Sequence, residues 1–253
     1  MSLKSFVNRL ISNPADAPAP QLTKPEDALA HLDAPIREAL CSLYRAEPQR
    51  GFDGQLHPLD PNVKISLQQG LWLYDQTISL KAQDTLEVGL AYGFSTLYFL
   101  AAHQKLGSGR HIAIDPYQDS EWHGIGRTLL ASLAKEPAFS WLKKTSARAG
   151  LDLFDTKDRF DLLFIDGGHI FEDVLSDFYL YARLCKIGGY LVLDDTWMPS
   201  VKSVVSFIQT NRDDFQIVPS PCSNICVLRK LREDSRQWDY FRPFSTDHIS
   251  KNA

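Results

Sequence analysis

Apolar positions along this chain follow two alternating rhythms. Thr85–Val88 is a short apolar and β-branched run, bounded by Lys81–Asp84 and Gly89, and it predicts a buried strand. After Tyr92-Gly93 the spacing changes. Phe94, Leu97, Tyr98 and Ala101 recur at helical intervals, so a helix starts near Gly93. His111–Ile114 reads as a second strand, followed by a loop over 116–127 and a helix carrying Leu129, Leu130 and Leu133. Ser140–Lys144 marks a third strand weakly, whereas Phe160–Asp166 is the near-continuous apolar run of a central parallel strand. Phe171, Val174, Leu175, Phe178, Ala182 and Cys185 then share one helical face. Gly188-Gly189 ends that unit, and Tyr190–Leu193 forms the fifth strand. A helix over Val201–Gln209 and strands at Phe215–Val218 and Asn224–Leu228 complete the pattern. Strands alternating with helices predict a doubly wound α/β sheet with right-handed crossovers.

The flanks are less regular. Leu3, Phe6, Val7 and Leu10 suggest a short helix, and Pro14, Pro18, Pro20 and Pro25 an extended arm. Residues 26–46 read as two helical pieces, the second capped by Asp33 with Pro35 in its first turn. Residues 51–62 are turn-rich and predict a loop before a helix opening at S-L-Q-Q-G (66–70). The chain divides into an N-terminal arm with helices and loop (1–63), a main domain (64–229) and a charged, aromatic extension (230–253). The N-terminal helices are expected to cover a face of the core or of a second copy, which leaves a homo-oligomer as an expectation.

Composition narrows the class. The chain has 253 residues, 44% hydrophobic and 23% charged, the profile of a globular protein with one large core. The net charge of −4, with no lysine-arginine block, removes the usual footprint of nucleic-acid binding. Cys41, Cys185, Cys222 and Cys226 lack metal spacing and read as reduced structural thiols. With no leader-like segment and no membrane-length apolar run, the expectation is a cytoplasmic protein that contacts neither membrane nor nucleic acid.

The strand–glycine–helix turn at 85–100 is how an open α/β sheet offers backbone N–H groups to a small ligand. Its glycines, Gly89 and Gly93, are spaced G-x-x-x-G, neither the dinucleotide fingerprint nor a phosphate-cradling loop. Glu87 sits at the end of the strand, where a carboxylate disfavours a pyrophosphate and favours a cation. Asp115 closes the second strand at about the distance (roughly 20 residues) of the acidic residue that accepts from ribose hydroxyls. A ribose and a cation together point to S-adenosylmethionine.

E-V-G-x-A-x-G-F-S (87–95) with the downstream I-D-P (114–116) resembles the class I S-adenosylmethionine-dependent methyltransferases. The order of later segments is similar to that of the metal-dependent O-methyltransferases of catechol and antibiotic-sugar (macrocin-like) type. The likeness covers about Lys64 to Arg229. It implies a seven-stranded sheet in the order 3-2-1-4-5-7-6 with an antiparallel last strand. The cofactor would lie among Glu87, Gly89, Gly93, Ser95, Asp115, Ser146 (near the adenine) and Asp166. The segment before the first strand would lie against the cofactor, with His57 and Gln69 as candidates.

A second constellation closes two neighbouring strands: Asp166 after the fourth, and Asp194 with Asp195 after the fifth. Two unit charges ~4 Å apart repel by about 4 kcal/mol at an effective dielectric of 20, so three such carboxylates call for a cation. All-oxygen ligation suits Mg²⁺, with Mn²⁺ or Ca²⁺ as alternatives. The resemblance implies the same metal set. The plainer alternative is that these aspartates are caps and turn formers. His169 stands three residues after Asp166, where the sugar-type enzymes place a histidine, and a neutral imidazole can act there as a base. The reading is therefore a Mg²⁺-assisted O-methyltransferase acting on a hydroxyl of a small molecule such as a sugar, phenol or natural product. Trp122, His123, Trp197 and His57 are candidates for lining the acceptor pocket. The rivals are a non-catalytic S-adenosylmethionine-binding module and a nucleotide-cofactor oxidoreductase or epimerase.

Overall fold

The computed structural model describes residues 24–134 and 137–246. The expected helix at 3–10 and most of the proline arm lie outside the described residues. Two helices open the described chain, α1 (Pro25–Ala28) and α2 (Ala34–Tyr44). Asp33 does occupy the N-cap position of α2, but its carboxylate makes no cap hydrogen bond. Two-residue strands, β1 (Gln49–Arg50) and β2 (Leu56–His57), pair as a small hairpin within the expected loop.

The main domain follows as α3 (Leu67–Ser79), β3 (Asp84–Val88), α4 (Phe94–Leu106), β4 (Arg110–Ile114), α5 (Ile125–Leu133) and β5 (Phe139–Leu142). It continues through α6 (Ser146–Asp155), β6 (Phe160–Ile165), α7 (Phe171–Leu184), β7 (Cys185–Leu193), α8 (Pro199–Asn211), β8 (Phe215–Val218) and β9 (Cys226–Lys230). The large sheet runs β5-β4-β3-β6-β7-β9-β8. Pairings from β5 to β7 are parallel, and β9 lies antiparallel to both β7 and β8. This is the doubly wound seven-stranded α/β sheet expected from the sequence, in the expected order.

Alternate side chains of the central strands enter two cores, as the pleat requires. Leu162 and Phe164 of β6 join one core with α2, α3, α4 and α5; Leu163 and Ile165 join the other with α6, α7 and α8. Helix α4 is enclosed on all sides between the sheet and α2, α3 and α5, so every residue from Phe94 to His103 is buried. Two local expectations change. Cys185 ends no helical face: α7 stops at Leu184 and Cys185 begins β7 in extended backbone. Helix α6 has no counterpart in the sequence reading. Residues beyond β9 carry no regular element up to 246 and dock along α8, where Arg236 donates to the carbonyl of Asn211 and Arg242 N–H to its side chain.

Candidate functional site

The register places the loops. Val88 pairs with Ile114 and Ile165, and Ile165 with Leu193, so the segments after β3, β4, β6 and β7 emerge along one edge of the sheet. β3 and β6 flank the point where the chain reverses its direction of winding, which is where open α/β sheets bind ligands. Gly89 adopts φ +96°, and a Cβ there would overlap the carbonyl oxygen of Asp166. The loops after β3 and β6 therefore touch through a position only glycine can fill. Ala91 is also left-handed, at φ +43°, which costs a non-glycine residue about 1–2 kcal/mol.

Asp115 holds this loop. Its Oδ2 accepts from Leu90 N (3.3 Å), Ala91 N (3.0 Å) and Gln118 Nε2 (2.9 Å), and its Oδ1 from Tyr117 N (2.7 Å). A carboxylate offers about four lone-pair sites, so the capacity left for a ligand lies at Oδ1. Glu87 takes a different place from the one its sequence position suggests. It is fully buried, and its oxygens accept from the hydroxyls of Ser95 (2.5 Å) and Thr96, with His111 Nε2 3.4 Å away. It borders neither of the two cavities at this loop and reaches the site through Ser95. Gly93 borders neither of them either; it turns the chain into α4 at φ +89° against Leu130.

Two cavities meet above the Gly89 turn. One, of about 350 Å³, is lined by Asp115, Tyr117, Glu121, Trp122, Ser146 and Asp173 among others. The second, of about 520 Å³, is bounded by Lys64, Tyr92, Ser95, His169, Asp195 and Trp197 among others, and Asp194 opens on it too. Gly89, Ala91, Trp122, Asp166 and Gly167 border both. The structure thus gathers Gly89, Ser95, Asp115, Ser146 and Asp166 around the paired cavities. Sequence reasoning missed Tyr117, Glu121 and Asp173. The first two lay in the 116–127 loop, whose position after the second strand was the available signal.

Asp166, His169 and Asp195 each present a ligand atom within 4.8 Å of the others. His169 Nε2 lies 3.2 Å from Asp195 Oδ2 and 3.6 Å from Asp166 Oδ1, and Ser200 Oγ donates to the His169 carbonyl (2.6 Å). Asp195 sits at φ +53° with its Oδ1 accepting from Trp197 Nε1 (2.8 Å). Asp194 stands apart from this cluster: its Oδ1 accepts from Gln69 Nε2 (2.8 Å), Asn224 Nδ2 (2.8 Å) and Asp195 N (2.7 Å). Burial raises the Asp166 carboxyl above the usual carboxylate range, and the charges of Asp195 and Glu87 add to the rise. Burial, then Asp166, does the same to Asp194. His169 shifts in the same upward direction, its proton held more tightly because the Asp166 carboxylate faces its Nε2. Crowded carboxyls with raised pKa and an imidazole that resists losing its proton describe an excess of negative charge.

The histidines expected near the acceptor do less. His57 pairs with Asp53 (3.0 Å) and stacks on His123 with ring centroids 4.0 Å apart; neither lines either cavity. Trp122 does, edge-on to Tyr92.

Residues 86–196 match a family model described as a methyltransferase domain. The structural neighbours include an O-methyltransferase from Bacillus cereus in complex with SAH (TM-score 0.59, 18% identity, covering 81% of this chain and 94% of that one). The SAH-bound methyltransferase PaMTH1 of Podospora anserina gives a TM-score of 0.62 at 11% identity, covering 92% and 98%. The O-methyltransferase TomG of Streptomyces achromogenes, in complex with SAM, gives 0.56 at 18%, covering 79% and 91%. An uncharacterized protein of Acanthamoeba polyphaga mimivirus is 42% identical over 60 residues, 21% of this chain; the match spans 27% of that relative's length. Residues 86–196 thus share the pattern of a methyltransferase domain, and the chain shares the fold of these S-adenosylmethionine- and S-adenosylhomocysteine-bound methyltransferases. No described helix is long and apolar enough to cross a membrane.

Proposed function

We propose that the protein transfers a methyl group from S-adenosylmethionine to a hydroxyl oxygen of a small molecule. The observation that carries this is the meeting of two cavities at Gly89, Asp166 and Gly167, with His169 and Asp195 on one side and Asp115 and Ser146 on the other. The smaller cavity takes the nucleoside: Asp115 Oδ1 accepts from the ribose, and Ser146 lies toward the base. The larger takes the acceptor, against Tyr92, Trp122 and Trp197, a setting for a ring-sized molecule. S-adenosylmethionine supplies a methyl group on a cationic sulfur, which the negative charge around Asp166 favours.

The donor set fits a divalent ion. The carboxylates of Asp166 and Asp195 lie close enough to share one ion, and His169 Nε2, within 4.8 Å of both and buried with no hydrogen-bond partner of good geometry, stays free of the ion as the base. Oxygen-rich ligands of this kind suit Mg²⁺ or Mn²⁺. When bound, such an ion would lower the pKa of the acceptor hydroxyl. Asp166 and Asp195 would hold it, with Asp194 behind them. His169, once neutral, takes the hydroxyl proton at Nε2, and Ser200 keeps the imidazole in place through its backbone. The chain's main contribution is to hold the two reactants in line. Four free cysteines, all buried, support a reducing, cytoplasmic setting. We extend the reading to a protein without nucleic-acid or membrane partners that associates with copies of itself.

Calorimetric titration of the full chain tests the cofactor assignment. S-adenosylhomocysteine should bind one-to-one and NAD should not. Binding of NAD alone would replace this reading with a nucleotide-dependent oxidoreductase or epimerase.

A further inference from the structure

Gln69 and Asp194 are 125 positions apart and joined by a hydrogen bond of 2.8 Å, with both residues buried. We infer that Gln69, with Asn224, which donates to the same Asp194 oxygen, is a positioning residue that sets the Asp194–Asp195 pair for a divalent cation and ties it to the acceptor side of the site. The inference rests on the metal-assisted reading above and assigns it two residues outside the ion's own ligands.

Both ends of the Gln69 amide are used. Its Oε1 accepts from Ser66 N (2.9 Å), closing the capping box of α3, while its Nε2 reaches Asp194. Residues Asn62, Val63, Lys64 and Ile65, just before that cap, border the acceptor cavity. One side chain therefore links the acceptor wall to the carboxylate pair. The helix that carries it is held firmly. A Cβ at Gly70 would overlap the ring of Tyr98 on α4, and Gln68 Nε2 donates to the carbonyl of Pro221 (3.2 Å).

The effect passes to Asp195 through the backbone. Asp194 Oδ1, fixed by the two amides, also accepts from Asp195 N. That hydrogen bond supports the left-handed conformation of Asp195, which a non-glycine residue adopts only when its surroundings enforce it. The conformation in turn carries the Asp195 carboxylate to within 3.2 Å of His169. The choice of amides has a reason. A lysine or arginine at position 69 would also donate to Asp194, but its charge would repel a cation. Glutamine and asparagine donate without adding charge and favour the ionised carboxylate.

The test is titration of the full chain with Mn²⁺, read by electron paramagnetic resonance of the free ion, beside calorimetric titration with S-adenosylhomocysteine. Gln69→Leu should weaken Mn²⁺ by about 10–100-fold, the range for residues that orient metal ligands, and leave cofactor affinity within about twofold. Asn224→Ala, in the loop before β9 and free of any helix, should weaken Mn²⁺ in the same sense and serves if Gln69→Leu does not fold. Ser66→Ala removes the cap hydroxyl but keeps the amide, so its Mn²⁺ affinity should match wild type. Equal Mn²⁺ affinity in wild type, Gln69→Leu and Asn224→Ala would overturn the positioning role while leaving the metal reading intact. A loss in Ser66→Ala as large as in Gln69→Leu would reduce Gln69 to a helix cap. Wild type that binds S-adenosylhomocysteine but no Mn²⁺ would overturn the metal reading and this inference with it.

Discussion

His169 Nε2 lies 3.2 Å from Asp195 Oδ2, although one residue follows β6 and the other follows β7. The contact brings an imidazole and a carboxylate from neighbouring strands to the wall of the larger cavity, beside its junction with the smaller one. Replacing the imidazole should remove the proton acceptor and little else. His169→Ala is expected to lower turnover by about 10²–10⁴-fold, the usual span for a general base, with cofactor affinity unchanged. Steady-state kinetics showing near-normal turnover would strip His169 of that role.

Asp115 holds the glycine turn and lines the smaller cavity, so under the proposed reading its loss should act on the cofactor twice. Asp115→Ala leaves the N–H groups of Leu90, Ala91 and Tyr117 without their carboxylate and removes the proposed ribose acceptor. A loss of roughly 1.5–3 kcal/mol in S-adenosylhomocysteine binding is expected, the scale of hydrogen bonds to a charged group. Calorimetry returning the wild-type value in a folded variant would refute the assignment.

At the other end of β3 from the glycine turn, His103 is buried against Thr85, its Nε2 2.8 Å from the hydroxyl, and burial lowers its pKa to about 4. Between pH ~6.5 and ~4 the unfolded chain takes up the proton and the folded one resists it, so stability falls with pH across that window. The contribution at neutral pH is up to about 3 kcal/mol. His103→Gln should flatten this part of the acid dependence in urea titrations at pH 7, 6 and 5. Parallel curves for the two proteins would show that His103 does not titrate in this way.

Asp177 presents the opposite case. It is 1% exposed, its oxygens have no hydrogen-bond partner of good geometry, and burial raises its carboxyl to about 6. The folded state holds the proton more tightly than the unfolded one, so stability declines as pH rises from about 4 to 6 and stays lower above. Asp177→Asn should therefore stabilise the protein at pH 8 by up to about 3 kcal/mol, an advantage that fades toward pH 4. A melting temperature at pH 8 below wild type would contradict this.

The sheet was legible because its central strands announce themselves. Leu162–Ile165 and Leu191–Leu193 are apolar on both faces, and each is followed by an acidic residue at the site. Strands of two residues, as in β1 and β2, are too short to show alternation. Cys185 misled for a related reason: an apolar residue at helical spacing is equally at home opening a buried strand. Helix α6 is ten residues long and carries Gly150 and two aspartates, which blur its period. At the site, position along the chain located Asp115 and Asp166 beside the cavities. It could not show that Ser95 and Thr96, in the first turn of α4, would turn back and enclose Glu87. Nor could any local pattern pair Gln69 with Asp194, since that contact is made only when α3, packed on α4, brings Gln69 to the end of β7.

Methyl transfer to oxygen at a cation-dependent site is decided by incubating the full chain with methyl-labelled S-adenosylmethionine and a panel of small sugars, phenols and other hydroxyl compounds. The assay is run with Mg²⁺, with a chelator, and with Mg²⁺ restored. Label is expected on an acceptor oxygen, with transfer abolished by the chelator and recovered with Mg²⁺, and S-adenosylhomocysteine binding largely unchanged throughout. A rate unaffected by chelation would remove the ion from the reaction and return Asp194 and Asp195 to structural roles. Label found on nitrogen or carbon instead of oxygen would contradict the claim itself.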